Sequence, residues 1–354
     1  MNAALLDRIS RAVLYEGYML YPYRPSAIKN RQRFNFGVLY PRSYCQEQGG
    51  SDACAMETQC LVLAKEAAQC TVRVRFLRMV DRSVLKLPGA RRGTADFKEA
   101  EVEKVDRLEV QGRIYQSWQE AAEEEIEGAE FSVRALAREP TAWPFDLAAT
   151  SEMEPIVDDS GRPAGFIKRV RESLSGLIGL SANSLDGELF RLTVRVSNTT
   201  CIQKPCPLER DEALALSLVS THTILEARGA EFVSLIDPPQ EHVEATKLCH
   251  NLGTWPILVG EEGQRDTLLS SPIILYDYPQ IAPESPGDLF DGAEIDEILS
   301  LRILTLTEDE KREMRDSDER ARQILERTEA LPEDQLIKLH GAVRGLRRPP
   351  GDIP

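Results

Sequence analysis

Apolar and polar residues alternate along the middle of this chain with a period of two. Residues 189–198 give the clearest case, setting Phe190, Leu192, Val194 and Val196 against Arg191, Thr193, Arg195 and Ser197. Successive side chains of a strand point to opposite faces, so this spacing predicts a strand with one buried face. Asp186-Gly187 supplies a hairpin turn between it and the residues that precede it. TVRVRFLRMV (71–80) alternates Val72, Val74 and Phe76 with Arg73 and Arg75, and VDRLEVQGRIYQSW (105–118) and FSVRALA (131–137) alternate again. Residues 119–130, QEAAEEEIEGAE, read as an exposed helical turn or as the start of a further strand. Residues 60–200 are therefore expected to form antiparallel strands. A sandwich or barrel is the economical way to bury strands that each have one apolar face.

The period changes on either side. Leu5, Leu6, Ile9 and Val13 recur near 3.6 residues and predict a helix over 4–16, while FNFGVLY (34–40) is a plausible strand. After about 208, residues 209–227 read as a helix carrying Leu214, Leu218 and Leu225 on one side. EFVSLI (231–236), WPILVG (255–260) and SSPIILYDY (270–278) are strand-like, and Asp237 with Pro238 is expected to start a helix. Residues 279–292 are rich in Pro and Gly, follow no period and predict a long loop. Thr307 and Glu310 form a capping box before a helix with a thin stripe of Met314, Ala321, Ile324 and Leu325. Pro332 opens another helix with Leu336, Leu339, Val343 and Leu346 on one face.

These elements make an α+β fold, with an antiparallel β-sandwich-like centre and a mixed α/β part that ends in helices. The expected divisions are an N-terminal helix and strap (1–59), a β domain (60–205), a mixed region (206–306), a helical hairpin (307–346) and a disordered tail (347–354).

Composition narrows the function classes. The 354 residues carry a formal net charge of −15. That balance argues against nucleic acid, where a basic face is rewarded by counterion release, and against an anionic membrane surface. No apolar run approaches the roughly 20 residues that span a bilayer. MNAALLDRISRAVLYEGY has Asp7, Arg8 and Arg11 inside its apolar stretch, so it reads as an amphipathic helix and not as a signal peptide. The seven cysteines are an odd number, which fits reduced thiols and a cytoplasmic location. Cys45, Cys54 and Cys60 are separated by eight and then five residues, no CxxC pair occurs, and Cys249 adjoins His250, so no metal or cofactor is expected.

Charge is unevenly placed. Residues 17–46 carry five basic side chains among many aromatics and no acid, whereas residues 266–301 carry eight acids and no Lys or Arg. The two blocks could meet inside one molecule. Alternatively the basic block could clasp a partner's acidic surface, or Arg31 and Arg33 could bind an anion. The protein-binding candidates are Tyr21, Tyr23, Arg24, Arg31 and Arg33 in the first block and Asp277, Tyr278 and Asp288 in the second.

The acidic block also admits a hydrolase using carboxylates of 266–297. Yet Asp288, Asp291 and Glu294 lack the spacing of a calcium loop, and acids there also suit a helix N-terminus. Ser270 and Ser271 could join a His and an Asp as a nucleophile, but no GxSxG elbow surrounds them. GEEGQRD (260–266) has neither GxGxxG nor a Walker lysine. Trp255-Pro256 reads as a core aromatic entering a strand. No catalytic residue is assigned.

Three strings carry a resemblance: YEGYMLYPYRPSAIKNRQRFNFGVLYP (15–41), GTWPILVG (253–260) and residues 270–314 from SSPIILYDYPQ to EKREM. They resemble an uncharacterised bacterial accessory family encoded beside uptake nickel–iron hydrogenases, chiefly of the actinobacterial high-affinity type. The resemblance implies a non-enzymatic role in hydrogenase assembly, maturation or electron-transfer partnering, with hydrogenase subunits as partners. That family has no established catalytic residues to carry over. The chain departs from a maturation endopeptidase, which would show metal-binding carboxylate and His positions. It departs from a cluster carrier in lacking tightly spaced cysteines.

Overall fold

The computed structural model describes residues 3–15, 36–50, 52–88, 102–202, 208–280, 303, 306–317, 322, 325, 326 and 328–330. Its spine is one long strand, β1 (Ala55–Lys86). Thirty-two residues at about 3.3 Å each would reach on the order of 100 Å if straight. Register shifts between Ala64 and Gln69 and between Arg75 and Leu77 mark irregularities of the kind that bend and twist a strand.

The strand therefore changes neighbours along its length. The remaining strands in chain order are β2 (Glu103–Val105), β3 (Arg107–Val110), β4 (Arg113–Gln116), β5 (Trp118–Glu127), β6 (Thr141–Leu147), β7 (Thr150–Val157), β8 (Pro163–Arg171), β9 (Leu174–Asp186), β10 (Leu189–Asn198), β11 (Val219–Val233), β12 (Trp255–Leu258) and β13 (Thr267–Ser271). On one side β1 pairs with β10, then β5, then β2; on the other it pairs with β11, then β8. All these pairings are antiparallel. The main path runs β12-β13-β11-β1-β10-β9-β6, and β3 with β4 forms a separate hairpin. Gln111 and Gly112 both have positive φ in that hairpin's turn, as a two-residue primed turn requires.

The helices are short: α1 (Ala3–Leu14), α2 (Arg42–Glu47), α3 (Val133–Leu136), α4 (Arg210–Ala215), α5 (Val243–Thr246) and α6 (Glu308–Ser317). Among the described residues no helix is long and apolar enough to cross a membrane.

The architecture is the expected α+β, sandwich-like antiparallel fold. Phe190, Leu192, Val194 and Val196 are all buried on one face of β10, as the alternation demands. They join Val72, Val74 and Phe76 of β1, Ile178 and Leu180 of β9, Leu225 and Phe232 of β11, and Trp143 and Phe145 of β6 in the main core. Residues 77 and 79 of β1 serve a second cluster with Leu14, Tyr40, Tyr44 and Leu214. The apolar side of α1 (Leu6, Ile9, Val13) lies on Ile224, Ile257 and Leu269. Arg75 fastens α1 to the sheet: its guanidinium donates to Asp7 at 2.9 Å, to Ser10 at 2.7 Å and to Glu125 at 2.7 Å.

Three local expectations fail for physical reasons. Residues 209–227 are not one helix. Only α4 is helical, and β11 begins at Val219. The leucine spacing fits a helix, but Val219, Thr221, Thr223 and Ile224 are β-branched and favour extended chain. Residues 131–137 are not a strand, because Ser132 caps α3 by accepting from the Ala135 amide. Asp237 starts no helix; a 3₁₀ turn begins at Gln240, after Pro239. Residues 119–127 belong to β5, and the strand expected over 270–278 ends at Ser271. The capping box at α6 forms reciprocally, with Thr307 N donating to Glu310 at 2.9 Å and Glu310 N to the Thr307 hydroxyl at 3.3 Å.

Backbones approach too closely at one glycine for any side chain. A Cβ on Gly165 of β8 would lie 2.5 Å from the Leu85 carbonyl oxygen, whereas one on Gly179 of β9 would meet nothing closer than 3.8 Å. Gly165→Ala is expected to cost about 1–3 kcal/mol, since a ladder carbonyl cannot step aside. Gly179→Ala should be near neutral. Denaturant midpoints of the two variants check this, and equal midpoints would contradict it.

Candidate functional site

A cleft of about 310 Å³ opens beside residues 37–56. Its walls include Gly37, Tyr40, Asp52, Met56, Arg210 and Gly253. Residue 39 is stitched to Leu218 by two backbone hydrogen bonds, of 2.8 and 3.2 Å. Buried Asn198 locks the junction, donating to the Leu39 and Leu216 carbonyls at 2.8 Å each and accepting from Thr200 N at 2.9 Å. Its amide is thus fully used, as a buried polar group must be. The loop before β1 is brought in by Tyr40 N, which donates to the Ala53 carbonyl at 2.8 Å.

The chemistry of the cleft is set by charge facing phenols. The Tyr40 and Tyr44 rings lie 5.0 Å apart. Burial pushes the Tyr40 hydroxyl above its ordinary pKa; Arg210, which hydrogen-bonds to it, pulls it down and Asp52 pushes it up. Burial and Asp52 likewise raise Tyr44. Burial raises the Cys45 thiol to about 11, with Cys54 and Asp52 adding to the shift. Both phenols and this thiol are therefore protonated near neutral pH. None of these three groups is therefore an activated nucleophile.

A serine and a histidine do come together elsewhere. The Ser271 hydroxyl lies 3.2 Å from His222 Nε2, and His222 Nδ1 lies 2.7 Å from the Ser220 carbonyl. One tautomer, protonated at Nδ1, satisfies both contacts. Ser271 and His222 are each 0 % exposed, so no substrate reaches the pair. Burial, opposed by the Ser220 carbonyl and aided by the Arg75 charge, lowers the His222 pKa to about 4. Ser270 sits in an adjoining knot of hydroxyls, 2.8 Å from both Thr58 and Thr254. The leucine spacing of 209–227 reads as helix and so conceals the pair; the β-branched run at 219–224 is the signal that points to a strand.

Of the candidate binding residues, Asp277 and Tyr278 are described; Tyr21, Tyr23, Arg24, Arg31, Arg33 and Asp288 lie outside the described residues, as do the acids from Glu284 to Glu297. Asp277 accepts from the Ser234 hydroxyl at 2.5 Å and from Leu258 N at 2.8 Å. Tyr278 has a positive φ of 56°, and its hydroxyl donates to the Gln264 carbonyl at 3.0 Å. Asp266 accepts from its neighbour Thr267. The two described acids of the proposed hydrolase set are thus bonded to different partners, and neither meets a His. The basic block's one described guanidinium, Arg42, is exposed.

The bonds of Asp277 and Tyr278 position what precedes them. Residues 272–278 leave β13 opposite Trp255 and end where Tyr278 N donates to the Leu258 carbonyl at 2.8 Å. The segment therefore ends against the outer edge of β12. Ile273 and Leu275 turn inward onto the α1 cluster, while Ile274 is 72 % and Tyr276 82 % exposed. Trp255, at the same end, is half-exposed. Among the described residues, nothing hydrogen-bonds the backbone of 274–276. Among the described residues, no group of His, Cys, Asp and Glu is arranged to hold a metal ion. No protein-family model matches the chain, and no curated protein sequence matches it.

Proposed function

We propose that this chain is a non-enzymatic accessory protein that binds another protein along the edge formed by residues 272–278. The observation that carries the reading is the exposure of Ile274 and Tyr276 on a segment pinned at both ends. Single exposed apolar residues are ordinary. Two large ones at alternate positions, on backbone with no described hydrogen-bond partner, offer a template for strand addition by an extended peptide. The pinning makes the edge preorganised, which lowers the entropy lost on binding. Following the string resemblance, the partner we propose is a subunit of a nickel–iron hydrogenase.

The test is titration of the purified chain against purified hydrogenase subunits. Burying an Ile and a Tyr is worth about 3–6 kcal/mol, so the Ile274→Asp, Tyr276→Asp variant is expected to bind at least a hundredfold more weakly. Its melting temperature should be unchanged, because both side chains are exposed. Unchanged affinity would remove this edge as the contact. Absence of binding by the unaltered chain would remove the hydrogenase as the partner.

A further inference from the structure

Cys45 and Cys54 are far from any spacing that signals a shared site, yet the fold brings them together. Cys45 lies in the last turn of α2 and Cys54 just before β1, with eight residues between them. Gly49 and Gly50, both at positive φ (75° and 81°), reverse the chain. Gly50 N donates to the Cys45 carbonyl at 3.0 Å, and the Tyr40 N–Ala53 O bond draws the returning arm alongside. Both side chains pack in the cluster of Tyr40, Tyr44 and Leu214, where the Cys45 thiol donates to the Tyr40 carbonyl at 3.9 Å and lies close enough to the Cys54 thiol for the two to interact. Among the described residues all six cysteines are free thiols, and Cys54 is partly exposed where Cys45 is buried.

We infer that Cys45 and Cys54 form a dithiol site that a low-molecular-weight disulfide oxidises reversibly to an internal disulfide. The order of events follows from access. Cys54, the reachable thiol, loses its proton to solvent and attacks one sulfur of the small disulfide, releasing one small thiolate. Cys45 then attacks the Cys54 sulfur of the mixed disulfide and gives its proton to the second departing thiolate. Two protein thiols lose two hydrogens and two electrons, and the small disulfide gains both as two thiols. Burial disfavours the Cys45 thiolate, so the second step is the slow one.

The consequence reaches the cleft. A disulfide holds its sulfurs about 2 Å apart, closer than any hydrogen-bonded thiols. Forming it draws residues 52–54 toward α2. Asp52 and Ala53 line the cleft, so its shape and the position of its carboxylate follow the redox state. This inference is independent of the binding edge at 272–278.

The experiment uses the full chain with Cys201 and Cys206 replaced by Ser, which removes a competing exposed thiol and its near neighbour in sequence. The protein is incubated with glutathione disulfide and mapped by mass spectrometry without reduction. One internal bridge joining the Cys45 and Cys54 peptides is expected, reversed by dithiothreitol. Cys45→Ser should stop at a glutathione adduct on Cys54, and Cys54→Ser should leave Cys45 unmodified. Cys45→Ala replaces the first variant should the serine not be tolerated in the apolar cluster. A persistent adduct on Cys54 in the parent, a bridge to Cys60, Cys70 or Cys249, or no reaction in the folded chain would each overturn the proposal.

Discussion

Replacing Arg78 by Met is expected to destabilise the fold by about 3–5 kcal/mol, although Met fills similar space. The Arg78 side chain is 4 % exposed. Its Nη2 donates to the Ala148 and Glu172 carbonyls, each at 2.6 Å, and Nη1 meets Glu124 at 3.3 Å. One guanidinium thus ties β1 to the end of β6 and to the turn between β8 and β9. An apolar isostere can replace a buried ion pair without loss when both charged partners go. Here two acceptors are backbone carbonyls, which no second substitution removes. The Ala148 and Glu172 carbonyls, on an exposed and a half-buried residue, each lose a charge-assisted hydrogen bond of about 1.5–3 kcal/mol, and Glu124 loses its cation as well. Arg228→Met is the control: Arg228 pairs with Glu130 at 3.6 Å, but its side chain is 80 % exposed, so a change within about 1 kcal/mol is expected. Guanidinium unfolding of the two variants decides the matter. An Arg78→Met protein within 1 kcal/mol of the parent would show that the clamp contributes little.

That arginine also marks where the sequence stops being readable. Alternation identified β10 because only one of its faces is buried. In β1 the residues from Val74 to Val80 are all buried, Arg75 and Arg78 included, so the period of two disappears just where the strand is most central. The acid-rich β5 has no apolar alternation at all. Its identity as a strand depends on β1: Arg75 faces Glu125 directly, and Arg73, Arg78 and Arg82 reach Glu125, Glu124 and Glu120 on the diagonal. The charge match visible among described residues is therefore between 73–82 and 120–127. The match expected between 17–46 and 266–301 falls largely outside the described residues. The cleft was illegible for a different reason. It draws on residues near 40, 53, 210 and 253, which only the pairing of β1 with β10 and β11 assembles. Asp277 and Tyr278 were singled out for charge and aromaticity; what the sequence could not display is that their polar atoms are bonded internally and that Ile274 and Tyr276 beside them face solvent.

The second large effect is expected on acidification. Burial keeps His222 neutral in the folded protein, with a pKa of about 4 against an ordinary 6.5. Below 6.5 the unfolded chain takes up a proton that the folded chain refuses. Stability is therefore fully present above pH 6.5, falls as pH drops toward 4, and levels off below it. A gap of about 2.5 pKa units corresponds to about 3 kcal/mol, of which about 2 kcal/mol should already be lost at pH 5. Carboxylates contribute to acid unfolding too, so the measurement must be a difference. His222→Gln retains an acceptor for the Ser271 hydroxyl but cannot titrate, and it should be less stable than the parent at pH 7. Unfolding free energies at pH 7, 6 and 5 should converge, because the parent loses about 2 kcal/mol more than the variant across that range. His222→Asn, which keeps a donor for the Ser220 carbonyl, serves in its place if the glutamine variant does not fold. Parallel loss in parent and variant would mean that His222 titrates in the folded state with its ordinary pKa. The seal around the Ser271–His222 pair would then be open to water, and its enclosure could no longer be the reason for denying it a catalytic role.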